Sequence, residues 1–90
     1  MENEIHIAGI VVHARPEHLG SVRSCIADVP GADIHGGDAE GRLIVTLEAD
    51  STRRTVEIMD AIRALPGVLN VSLVYQHAEP LAALDQEVSP

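Results

Sequence analysis

The chain has 90 residues, 46% of them hydrophobic, with a single aromatic side chain, Tyr75, and a formal net charge of −8. That length bounds one small domain with one modest core and leaves no room for a second domain or a deep enclosed active site. The hydrophobic content places the chain among globular proteins. The acidic charge argues against nucleic acid and anionic membrane surfaces, which select Lys and Arg; it favours basic partners or serves solubility alone.

The one cysteine, Cys25, excludes an intramolecular disulfide and suits a reducing compartment. The start, Met1-Glu2-Asn3-Glu4, is acidic where a secretory signal is basic. Every apolar run falls short of the ~18 residues of a membrane span. A cytoplasmic protein with no membrane insertion is therefore expected.

Ile5 to Ala14 reads as a strand, β-branched and apolar on both parities, as in the middle of a sheet. Pro16 stands where a first helical turn begins, and Leu19, Val22 and Ile26 follow at helical spacing until Pro30-Gly31 ends the helix. Cys25 lies beside that stripe and is expected to be a buried or half-buried packing residue rather than a nucleophile. Ala32 to His35 is a short candidate edge strand, and Gly36 to Gly41 a turn-rich hairpin connection. Arg42 to Ala49 is a second clear strand. Asp50-Ser51-Thr52 offers capping side chains to a second helix, whose apolar stripe is read as Val56, Met59 and Ile62 with Ile58 and Leu65 beside them. Pro66-Gly67 ends it. Val68 to Gln76 then alternates Leu69, Val71, Leu73 and Tyr75 against Asn70, Ser72, Val74 and Gln76. The expected domain is residues 1–77, followed by an acidic, disordered tail, 78–90.

An internal repeat organises these elements. Pro30-Gly31 recurs as Pro66-Gly67, and Val22, Ile26 and Val29 map onto Ile58, Ile62 and Leu65 at the same offset. Two successive βαβ halves give β-α-β-β-α-β. Right-handed crossovers put both helices on one face of a four-stranded antiparallel sheet of order 4-1-3-2.

The other face of such a sheet has no cover from the chain, and an antiparallel sheet normally makes it polar. Here Leu43, Val45 and Leu47 are expected to face the helices, leaving Ile44, Thr46 and Glu48 outward. In the last strand Leu69, Val71 and Leu73 are expected inward, leaving Ser72, Val74 and Gln76 outward. For the first strand either Ile5, Ile7, Gly9 and Val11 or Ala8, Ile10 and Val12 faces out, and both choices expose aliphatics. An apolar stripe rimmed by Glu48 and Asp50 follows, the mark of a partner site for a helix or an extended strand, or of weak pairing with a second copy.

No catalytic constellation and no cofactor motif is present. The five histidines, His6, His13, His18, His35 and His77, show no metal-ligand spacing, so no metal site is expected. Nor do the central strands carry the aromatics of a sheet that binds RNA.

Gly67-Val68-Leu69-Asn70-Val71-Ser72-Leu73-Val74-Tyr75, with Ile10 to Ala14, Pro30-Gly31 and Gly41 to Val45, resembles the NapD family over roughly residues 5 to 77. One departure is Gln76, standing between Tyr75 and His77 where His commonly follows Tyr directly. The resemblance implies an α+β, ferredoxin-like fold. It further implies a chaperone, without catalytic residues, for the catalytic subunit of periplasmic nitrate reductase. Such a chaperone binds that subunit's twin-arginine signal peptide in helical form on the sheet face and holds back export until the molybdenum cofactor is inserted. On this reading the binding residues are Ile7, Gly9, Val11, Ile44, Thr46, Glu48, Asp50, Ser72, Val74 and Tyr75, with the two carboxylates receiving the arginines. The alternative is an ACT-like module sensing a small molecule, which rests on the dipeptide Arg15-Pro16 alone.

Overall fold

The computed structural model describes residues 4–80. Four strands form one antiparallel sheet: β1 (Glu4–Ala14), β2 (Ala32–Gly37), β3 (Arg42–Ala49) and β4 (Val68–Pro80), in the spatial order β2-β3-β1-β4. A 3-10 turn at Pro16–His18 leads into helix α1 (Leu19–Ala27), and helix α2 (Thr52–Arg63) joins β3 to β4. This is the expected ferredoxin-like arrangement. β4 pairs with β1 as far as Pro80, past His77, the expected end of the domain; the rest of the expected tail lies outside the described residues.

The core is aliphatic throughout. Ala8, Ile10, Val12 and Ala14 from β1 meet Leu43, Val45 and Leu47 from β3 and Val71 from β4, all under Val22 and Ile26 of α1 and Ile58 and Ile62 of α2. Ser51 caps α2, its hydroxyl accepting from the Arg54 amide at 3.0 Å. Thr55, one turn later, is buried, and its hydroxyl donates to the Ser51 carbonyl at 3.1 Å, which satisfies the hydroxyl inside the core.

The repeated Pro-Gly pairs do the same work twice. Gly31 and Gly67 take positive φ, 88° and 91°, a region that side-chain-bearing residues avoid. Each carbonyl then accepts from a strand end in the other half of the repeat: Gly31 from the Glu48 amide and Gly67 from the Arg15 amide, both at 2.8 Å.

Three expectations are corrected. Val56 is half-exposed, because the face of α2 that meets the sheet is centred on Thr55, Ile58 and Ile62. Cys25 is exposed rather than packed, one position short of the buried Ile26. Leu69 is exposed, because it is the extra residue of a bulge opposite His13 and Ala14.

Candidate binding face

The parity of β1, open from residue pattern alone, is decided by the helices. Ala8, Ile10 and Val12 are buried beneath them, so Ile7, Gly9 and Val11 turn to the uncovered face. The register sets these residues in rungs across the sheet. Val11 lies between Ile44 and Ser72, Gly9 between Thr46 and Tyr75, and Ile7 between Glu48 and His77, while His13 stands between Arg42 and Asn70 one rung before them. Four rungs two residues apart span roughly 20 Å along the strands, and four strands about 14 Å across. That area accepts an α-helix of about 10–12 Å diameter and some 13 residues.

A second bulge shapes the middle of this face. Gly9 pairs with Tyr75 and Ile10 with Leu73, so Val74 is the extra residue. Strict alternation would leave Tyr75 on the same side as Leu73. The bulge instead places Leu73 opposite the core residue Ile10 and Tyr75 opposite Gly9 on the open face. Gln76, expected outward, pairs with buried Ala8 and lies on the helix side of the sheet. Gly9 is buried although it belongs to the open face, because the ring of Tyr75 covers it; a β-carbon there would collide with Cε1.

The resulting groove, about 330 Å³, is lined by Gly9, Val11, Ile44, Thr46, Val74 and Tyr75, together with His35. Ile44 and Val74 are more than half exposed, at 54% and 63%, which marks them as free apolar surface rather than core. His35 is the member of the groove that residue pattern does not announce. It is the bulged residue of β2, and its Nε2 lies 2.7 Å from the Thr46 hydroxyl, which turns the imidazole onto the face. The bulge falls in a short edge strand with no local signal to mark it.

Ser72 lines an adjoining hollow with Val11, His13, Asp38, Arg42 and Ile44. Asp38 closes the β2–β3 turn there. Its carboxylate accepts from the amides of Glu40 at 3.1 Å and Arg42 at 3.2 Å and from the Arg42 Nε at 2.8 Å. The hydrogen bond from the Arg42 amide, then that from its guanidinium, hold the Asp38 carboxyl below its ordinary range. Glu48 and Asp50 stand apart from the apolar groove. They line a shallow depression at the far end of the sheet with Pro30, Gly31, Arg54 and Ile58. Glu48 still belongs to the face by register, opposite Ile7; Asp50 follows the last residue of β3.

Among the described residues no group of three or more His, Cys, Asp or Glu is placed to hold a metal ion, and no helix is long and apolar enough to cross a membrane. What the face offers is apolar area at its centre with the one carboxylate of Glu48 at its last rung.

Comparison with known proteins agrees with this geometry. Residues 5–80 match the family model described as NapD protein. "Chaperone NapD" of Escherichia coli K12 is 31% identical over 80 residues, covering 88% of this chain and 92% of that protein. "Chaperone NapD" of Haemophilus influenzae is 25% identical over 75 residues, covering 82% and 81%. The solution structure of the E. coli Tat proofreading chaperone protein NapD superposes with a TM-score of 0.77 at 32% identity, covering 83% of this chain and 80% of that one. A transcriptional regulatory protein of the AsnC family from Pyrococcus furiosus, with a TM-score of 0.62 and 15% identity, covers 84% of this chain and 50% of its own, and shares the fold alone. By sequence along nearly the whole described domain, and by fold, the chain belongs to the NapD family.

Proposed function

We propose that this protein is a cytoplasmic chaperone that takes the twin-arginine signal peptide of the catalytic subunit of periplasmic nitrate reductase onto the open face of its sheet. By holding the peptide it delays export until the cofactor has been inserted and maturation is complete. The role is binding and not catalysis. The observation that carries this reading is the uncovered, aliphatic centre of the sheet in a member of the NapD family, whose E. coli relative is described as a Tat proofreading chaperone.

The chemistry of the two partners is complementary. A twin-arginine peptide joins a basic segment to an apolar one, and as a helix it presents both to one surface. The apolar segment covers Val11, Ile44, Val74 and Tyr75, on the rungs of Gly9, Thr46 and Ser72, with Ile7 beyond. The arginines are drawn to Glu48 at the last rung and Asp50 at the sheet's end. Arg54 is already engaged, at 3.2 Å from Glu57, which leaves the two carboxylates able to receive outside cations.

Calorimetric titration with a synthetic twin-arginine peptide tests the reading. Saturable one-to-one binding is expected, with a twin-glutamine peptide binding at least tenfold more weakly. Glu48→Lys combined with Asp50→Lys is expected to lower affinity and flatten its salt dependence. Unchanged affinity across a salt titration would remove the two carboxylates from the site. No binding of the parent peptide at all would remove the function.

A further inference from the structure

The two border strands of the sheet are built differently. β2 has six residues, carries Asp33, bulges at His35, ends in two glycines and runs into the ion cluster of Asp38, Glu40 and Arg42. What separates it from β4 is its shortness and its charge, two devices that keep an edge from pairing with another chain. β4 has thirteen residues, and Val68 to Gln76 contains neither a charge nor a proline. Its apolar side chains stand exposed on both sides of the sheet plane. Leu73, opposite core residue Ile10, is 48% exposed, and on the open face Val74 and Tyr75 are 63% and 48% exposed. Its bulges at Leu69 and Val74 leave Asn70–Leu73 and Tyr75–Pro80 in regular pairing with β1, and among the described residues no strand pairs with its outer edge.

The charges at the two ends of β4 identify the partner. Arg15 is exposed, and its amide donates to the Gly67 carbonyl, which holds its backbone beside the start of β4; among the described residues it makes no ion pair. At the other end are Glu79 on β4, 3.6 Å from His77, and Glu4 opposite Pro80, 3.3 Å from His6. The strand is thus uncharged in its middle, cationic at its start and anionic at its finish. The surface complementary to such an edge is the same edge reversed.

We propose that β4 pairs antiparallel with β4 of a second copy about a two-fold axis near Leu73, joining two four-stranded sheets into one of eight. Counted from Leu73, Glu79 of one copy falls opposite Gly67 of the other, beside Arg15, and symmetry makes the contact twice. The pairing uses the edge of the sheet and leaves the open face free, so it stands independently of peptide binding. Because each chain carries a net charge of −8, the association is weak and concentration-dependent.

Sedimentation equilibrium of the full chain, from micromolar to millimolar, is the test. A reversible monomer–dimer equilibrium is expected for the parent protein. Leu73→Lys weakens it at least tenfold while far-ultraviolet circular dichroism stays unchanged. Arg15→Glu and Glu79→Arg, both at exposed or rim positions, each weaken it, and the two together restore it. A chain that stays monomeric at millimolar concentration overturns the proposal. So does a dimer that survives Leu73→Lys yet dissolves with Ile44→Lys, which would place the contact on the open face. Failure of the double charge exchange to restore association would refute the antiparallel register.

Discussion

The ring of Tyr75 lies directly on the backbone of Gly9, so that a β-carbon at Gly9 would stand 2.9 Å from Cζ and nearer still to Cε1. The two residues are partners across the β1–β4 ladder, brought onto one face by the bulge at Val74. The glycine is there for space: its φ is not in the left-handed region. Its missing side chain lets the one aromatic residue of the chain lie flat and form the floor of the groove.

Gly9→Val should therefore leave the fold intact and lift the ring out of the groove. Overpacking of this kind costs roughly 1–3 kcal/mol. Signal-peptide affinity should fall about tenfold or more, equivalent to about 1.4 kcal/mol. Because Tyr75 is the only tyrosine and there is no tryptophan, its intrinsic fluorescence reports the displacement without a label. An unaltered emission spectrum together with unaltered affinity would contradict this account.

Ile44 and Val74 separate binding from stability. Both side chains are more than half exposed, so Ile44→Asp and Val74→Asp should each change unfolding free energy by about 0.5 kcal/mol or less. Each should nevertheless reduce peptide affinity by about tenfold or more, since a carboxylate would be carried into the apolar contact. Urea denaturation and calorimetric titration of the same preparations check both halves.

In α2 the prediction concerns which side of the helix holds the domain together. Ile62 is fully buried and Val56 is 49% exposed. Ile62→Ala should cost about 2–5 kcal/mol, a large part of the stability of so small a domain. Val56→Ala should cost about 0.5 kcal/mol or less. Chemical denaturation midpoints distinguish them, and equal losses would mean that the apolar face of the helix is misassigned.

Asp38 gives the β2–β3 turn a pH dependence in acid. Its folded carboxyl titrates below the ordinary value of 3.8, because the Arg42 amide and guanidinium bond to the charged form. A depressed carboxyl contributes stability that is present above the unfolded value and lost as the pH falls through the folded one. Asp38→Asn should thus remove part of the stability lost as the pH falls below about 5, and should leave the slope near neutrality as it is. Denaturation midpoints of the two proteins at a series of pH values show whether the curves converge in acid.

The one-dimensional pattern settles a good deal. Period and punctuation place every element, and β3 is legible to the residue, because Leu43, Val45 and Leu47 alternate with Ile44, Thr46 and Glu48 and only one face of the strand is apolar enough to bury. The Pro30-Gly31 and Pro66-Gly67 repeat marks both helix exits, since a glycine following proline answers a local need for positive φ. The Ser-Leu-Val-Tyr stretch points to the family.

What tertiary structure alone decided concerns the face. β1 is apolar on both parities, so nothing within the strand distinguishes Ile10 from Val11; only the helices packed over Ala8, Ile10 and Val12 do. A bulge depends on what the neighbouring strand requires, and Val74, Leu69 and His35 carry no mark of it. Glu48 and Asp50 adjoin the aliphatics of β3 in sequence, yet the end of that strand and the entry to α2 carry them to a separate hollow beside Arg54. Tyr75 on Gly9 is the sharpest case: residue identity made a close approach feasible, and cross-strand register alone brought the ring and the glycine together, because side-chain direction in a sheet is set by pairing and not by composition.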